Sequence, residues 1–183
     1  MTNFKRTILI ILMIIIMVIV VLEVVTILNK NTKSELDIFY DDEITNEYED
    51  IRNLSKEYNV YNAQVDKCFV VGAMVHNEYI YGEFLEDYKK ERDSFLRIVC
   101  NTKNNDLIIF DIMYKNNTKE FKLVSDYTRD TSKKEEDRII KLSKYKNISE
   151  YEYKGYTYLV LYNGILNDEN FNSENVFKLV KLY

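Results

Sequence analysis

Hydrophobic side chains fall along this chain in three rhythms, and each predicts a different element. The first is unbroken: every position from Ile8 to Leu22 is apolar, and beyond Glu23 the run resumes through Val24, Val25, Thr26, Ile27 and Leu28. As a helix rising about 1.5 Å per residue, residues 8–28 span about 30 Å, the thickness of a hydrocarbon core. No polar stripe of period 3.6 interrupts them before Glu23, as a soluble helix would require. The segment is therefore a membrane helix or a secretion signal. A cleaved signal ends in small residues, and Leu28-Asn29-Lys30-Asn31 supplies none, which favours an uncleaved anchor over residues 1–28. Lys5 and Arg6 precede the run while Lys30 and Lys33 follow it; a short basic tail stays in the cytoplasm, so residues 29–183 are expected outside. Glu23 reads as a carboxylate reaching the interface, or as a group that pairs two anchors.

The second rhythm recurs every three or four residues. Tyr48, Ile51, Leu54 and Tyr58 would line one face of a helix beginning near Ile44 with Asp42 as its N-cap, inside a juxtamembrane region of residues 29–60. Phe84, Leu85 and Tyr88 predict a helix over about 81–92. Val176, Phe177, Val180 and Leu182 predict a helical end to a tail of residues 166–183.

The third rhythm is that of strands. Cys68 to Val75 is a short run rich in β-formers, and from Phe95 to Asn101 the residues Leu96, Ile98 and Cys100 alternate with Arg97. Turn-rich stretches at 101–106 and 115–119 separate strands over 106–114 and 120–127. Residues 128–137 form a charged loop before a short strand at 138–142. Tyr151-Glu152-Tyr153 and the run from Tyr156 to Tyr162 flank Lys154-Gly155 as a further hairpin. The predicted fold class is α+β: an N-terminal transmembrane helix, then a domain over residues 61–165 with a mainly antiparallel sheet and one or two packed helices. If the first two strands are neighbours, the intervening helix makes them a parallel pair.

Charge narrows the partners. The chain carries 25 Lys+Arg against 30 Asp+Glu, a formal charge of -5, and setting aside residues 1–28 makes the remainder more acidic still. That balance argues against nucleic acid as a partner. No Cys-x-x-Cys, His-x-x-x-His or EF-hand loop occurs, so no metal or other cofactor is expected. The expected partners are the lipid bilayer through residues 7–28 and a protein or cell-wall component.

Five polar residues stand out as candidate binding groups: Arg97, Asp111, Asp126, Arg129 and Asp130. Guanidinium–carboxylate pairs beside strands either lock loops or present a charged ligand site, and a suitable hairpin register sets Arg97 opposite Asp111. His76 is the only histidine, so acid–base chemistry near neutral pH would use it together with carboxylates such as Asp66, Asp106 or Asp126. Cys68 and Cys100 lie in apolar strands, either as a disulfide of an exported domain or as buried free thiols.

The segment from Asp66 to about Asp130 resembles a bacterial domain-of-unknown-function family, number 4362. The resemblance rests on Asp66, Gly72, Phe84, Arg97-Ile98, Thr102, Asp106, Ile108, Asp111 and Tyr114, and on Asp126-x-Thr128-Arg129-Asp130. The chain departs from the family pattern at Val71, Asn104-Asn105 and Leu107. The resemblance implies an exported or membrane-attached α+β protein of Gram-positive bacteria and no particular activity. The expected function is that of a membrane-anchored, extracytoplasmic binding module with no catalytic residues. The alternatives are an envelope hydrolase using His76 with carboxylates, and a structural or regulatory membrane subunit acting through its anchor.

Overall fold

A computed structural model describes residues 11, 13–24, 33–102 and 104–181. The chain divides into two compact units, Met1–Ile38 and Phe39–Tyr183. In the first, residues 11 and 13–24 are helical with their apolar side chains exposed, among them Met17 at 71% and Val18 at 53%. Among the described residues no helix is long and apolar enough to cross a membrane; the remainder of the expected 8–28 span lies outside them. A short helix, α1, covers Glu35–Tyr40. It starts with a reciprocal cap in which Ser34 N–H donates to the Asp37 carboxylate at 3.0 Å and Asp37 N–H donates to Ser34 Oγ at 3.1 Å.

The second unit is α+β and mainly antiparallel. Its larger sheet has five strands in the order β1 (Phe69–Val71), β2 (Ser94–Asn101), β3 (Leu107–Lys115), β4 (Glu120–Asp126) and β5 (Ile140–Tyr145). β1 and β2 are neighbours and parallel, joined by the crossover helix α3 (Glu78–Lys89); a second short helix, α2 (Val60–Val65), precedes β1. The hairpins turn on non-glycine residues with positive φ, Asn105 at 61° and Lys119 at 53°. The smaller sheet has three strands in the order β6 (Asn147–Tyr153), β7 (Tyr156–Tyr162) and β8 (Val176–Lys181). Its tight turn is Lys154-Gly155, both at positive φ, as a two-residue hairpin loop requires.

Alternation along β2, β3 and β4 gives the larger sheet two buried faces. One carries Leu96, Ile98, Phe110, Ile112, Phe121 and Leu123; it packs against Tyr81 and Phe84 of α3 and against Ile148, Leu159, Leu161, Leu179 and Val180 of the smaller sheet. Tyr81 donates to Glu150 Oε1 at 2.7 Å and ties α3 to β6. The opposite face carries Val99, Ile109 and Val124 together with Arg97, Asp111 and Asp126, all buried. An irregular strap, residues 39–58, lies over it, placing Phe39 and Tyr48 against Phe95 at ring-centroid distances of 6.3 and 4.8 Å.

Two predicted helices are corrected. The region expected to be helical from Ile44 forms only a 3-10 turn, Glu43–Thr45, which Asp42 caps by accepting Ile44 N–H at 3.3 Å; turns and bends follow. Ile51 and Leu54 are buried at the expected spacing, yet carbonyls of this stretch go to arginines of the sheet face and are not free for a helical ladder. The expected C-terminal helix is strand β8, because Val176, Phe177 and Val180 find cross-strand partners in Tyr162, Leu161 and Leu159. A bulge between Leu159 and Val160 sets the register there. Within the second unit, Leu179 and Val180 of β8 join the core shared with the larger sheet.

Candidate functional site

The face under the strap holds three of the five candidate residues, Arg97, Asp111 and Asp126, and the register explains why. β2 and β3 pair Arg97 with Asp111, so both side chains leave the sheet at the same point. Arg97 donates from Nε to Asp111 Oδ1 at 2.7 Å and from Nη2 to Oδ2 at 2.6 Å, with the two side chains 1% and 0% exposed. The strap satisfies what remains: Tyr40 Oη donates to Asp111 Oδ2 at 2.8 Å, and Arg97 Nη2 also donates to the Glu49 carbonyl at 2.7 Å. The Arg97 guanidinium carbon sits 5.3 Å from the centroid of the Tyr48 ring. Burial pulls the Arg97 pKa down, but the charge and hydrogen bonds of Asp111 outweigh it and the net shift is upward. Burial first, and then the Asp111 carboxylate, push the Tyr40 phenol well above its usual range. Arg97 and Asp111 are thus a sealed ion pair that seats the strap.

Asp126 ends β4 and organises the loop after it. Its Oδ1 accepts Thr128 N–H at 2.8 Å and Thr128 Oγ1 at 2.5 Å, and its Oδ2 accepts from Arg129 Nη1. Asp130 accepts Ser132 N–H at 3.1 Å and Ser132 Oγ at 2.5 Å. Asp106, at the start of the β2–β3 hairpin's return, accepts Thr131 N–H at 2.9 Å and Thr131 Oγ1 at 2.5 Å. The Asp-x-Thr-Arg-Asp sequence is therefore a run of short-range carboxylate caps that ties its loop to the neighbouring hairpin.

Arg129 is where this set meets solvent. Its side chain is 17% exposed; Nη2 donates to the Leu54 carbonyl at 3.1 Å, and Nε is buried without a hydrogen-bond partner. It lines a groove of about 410 Å³ with apolar Ile51, Leu54 and Ile140 and with Thr128, Arg52 and Lys56. Arg52 is occupied by Asp50, through Nε at 2.9 and 3.0 Å and Nη2 at 2.5 Å. Lys56 makes no ion pair among the described residues. The groove joins an apolar wall to cationic donors, the chemistry that takes a carboxylate attached to a hydrophobic body.

His76 stands apart from Asp126. It bridges Val70 through backbone hydrogen bonds of 3.0 and 3.1 Å. From there one row crosses the sheet from Val70 to Val99, Ile109 and Asp126. Four strand spacings of roughly 4.8 Å put about 19 Å between His76 and Asp126, beyond any direct proton transfer. Asp106 is spent on Thr131, as above. Asp66 caps the C-terminus of α2, and its carboxylate interacts with the Tyr58 phenol.

The disulfide considered for Cys68 and Cys100 is not formed, and both are free thiols. Val71, not Cys68, lies opposite Cys100, an offset of three residues or roughly 10 Å along the strand, beyond the ~7 Å limit for bridged Cα atoms. The two also leave opposite faces of the sheet. Burial raises Cys68 to about 11 and Cys100 to about 12, so neither is a ready nucleophile. Among the described residues no group of His, Cys, Asp and Glu is placed to hold a metal ion.

Sequence reasoning did not find Tyr40, Lys56 or the Glu49 and Leu54 carbonyls. Tyr40 lies in a stretch without a clear period, and a backbone carbonyl leaves no mark in a sequence. The outer face of the smaller sheet is likewise closed: Phe171, 1% exposed, stacks against Tyr151 and Tyr153 at 5.4 and 4.3 Å.

No known protein family's sequence profile matches the chain, no curated protein matches it, and no solved structure matches it.

Proposed function

We propose that this chain is a single-pass envelope protein whose head, residues 39–183, is an extracytoplasmic binding module. Its ligand is an anion with an apolar body, most simply a peptide with a free terminal carboxylate, held by Arg129 and Lys56 over Ile51, Leu54 and Ile140. The observation that carries this reading is Arg129, which keeps a buried, unpartnered Nε at the wall of an open groove. The uninterrupted apolar run with Lys5 and Arg6 before it supports the anchor and its orientation. The distance between His76 and Asp126 weighs against the hydrolase alternative.

The full-length chain in detergent micelles, titrated with short hydrophobic peptides bearing a free carboxylate and with the same peptides amidated, tests the site. The carboxylates are expected to bind at least tenfold more tightly and to lose that preference in Arg129→Lys, which keeps the charge and loses the planar fork. Equal binding of acid and amide overturns the reading. For the anchor, protease added to intact cells is expected to digest the head; recovery of the full-mass chain from detergent-free supernatant would contradict it.

A further inference from the structure

We propose that a second groove, at the tip of the β2–β3 hairpin, is a subsite for a neutral N-acetylated sugar. It encloses about 310 Å³ between the entry to α2 and the hairpin, at the lower end of the range for ligand pockets. Tyr58, Tyr61, Asn59, Asn101, Asn105 and Leu107 form its walls, and among the described residues its lining carries no charged side chain. It is distinct from the Arg129 groove in both position and chemistry, so it stands or fails independently.

Three observations point to this ligand. Asn101 Oδ1 is buried without a hydrogen-bond partner, an acceptor that a ligand N–H or O–H would satisfy. Asn101 Nδ2 donates to Asn105 Oδ1 at 3.5 Å, which sets the two side-chain amides side by side on the groove wall, with the unpartnered Asn101 oxygen next to the Asn105 amide. That pairing matches the N–H and C=O of one acetamido group. Tyr61 is 71% exposed at the rim, an aromatic face against which the C–H side of a sugar ring can lie.

The local fold keeps these groups in place. Asn59 is occupied as the cap of α2, accepting Tyr61 N–H at 2.9 Å and Asn62 N–H at 3.2 Å, which fixes the start of the Tyr61 helix. Asn105 holds its turn at φ 61°, with its N–H donating to the Thr102 carbonyl at 3.0 Å. Behind the groove, a Cβ on Gly72 would come within 3.1 Å of Asn101 Cβ, so the absence of a side chain at Gly72 leaves Asn101 its place.

The test is an NMR titration of the full-length chain in a sugar-free detergent with three probes: N,N′-diacetylchitobiose, cellobiose and N-acetylglycine methylamide. The diacetylated disaccharide is expected to shift the Asn101 and Asn105 side-chain amide signals in a saturable way, and cellobiose to bind at least tenfold more weakly. Tyr61→Ala alters an exposed residue and is expected to abolish the shift with an unchanged melting temperature. Asn101→Ala is expected to abolish it too. Equal binding of the small diamide would show a peptide-like site and overturn the proposal. So would an absence of saturable shifts, or full retention of binding in Tyr61→Ala.

Discussion

The two faces of the five-stranded sheet are made by alternate residues of the same strands, yet they are held in different ways. On the face covered by α3 and the smaller sheet, Leu96, Ile98, Ile112, Phe121 and Leu123 are fully buried and the contact is apolar side chain on apolar side chain. On the strap face, Arg97, Asp111 and Asp126 lie among Val99, Ile109 and Val124, and their covering is a segment without regular ladders. Apolar surface is non-directional and accepts any cover of suitable shape, whereas a buried guanidinium must meet an acceptor at a fixed position. The difference teaches that an irregular segment can be held in register when its carbonyls and hydroxyls complete the charges beneath it.

The largest effect expected is on the strap face. Asp111→Ala would leave Arg97 charged and unpaired in the interior and is expected to cost about 3–5 kcal/mol in chemical denaturation. The double variant Arg97→Met, Asp111→Leu separates stability from register: it is expected to recover most of that loss while hydrogen exchange quickens at the amides of residues 49–55. Unchanged exchange in the double variant would show that apolar contacts alone position the strap. Next in size is Tyr40→Phe, which removes one hydrogen bond to a buried carboxylate and is expected to cost about 1.5–3 kcal/mol. Ile112→Val on the opposite face should cost about 0.5–1.5 kcal/mol and leave strap exchange as it was.

The last comparison sets the two thiols against each other, one on each face. Burial raises the folded-state pKa of Cys68 from 9.0 to about 11 and of Cys100 from 9.0 to about 12. Each contribution is complete below pH 9 and is lost as pH rises through those folded values, because the unfolded thiol ionises first. Stability measured by guanidinium unfolding under reductant should therefore fall above pH 9, and the decline should be shallower in Cys100→Ala than in the parent. An identical slope would place the alkaline loss elsewhere.

How much of this was legible varied with the force involved. The strands β2 to β4 and the hairpin at Lys154-Gly155 followed from alternation and turn chemistry, and the facing of Arg97 and Asp111 followed once a register was assumed. The strap misled because Tyr48, Ile51, Leu54 and Tyr58 keep the spacing of a helix while their backbone serves arginines far along the chain, Glu49 to Arg97 and Leu54 to Arg129. Residues 176–181 misled in the same direction: their apolar positions suit a helix, and pairing with β7 makes them a strand. Local periodicity reports which residues are buried better than it reports the backbone that buries them.

The sequence by itself determined the long apolar run with its basic flank, the α+β class, the mainly antiparallel strands and the polar residues of the buried seam, because each is written in the period or composition of neighbouring residues. Tertiary structure alone decided that the seam is closed by Tyr40 and Glu49, that Arg129 opens onto a groove, that His76 stands apart from Asp126, and that Cys68 and Cys100 face away from each other. Those outcomes depend on register and on backbone carbonyls brought together from distant parts of the chain, and local sequence carries no record of either.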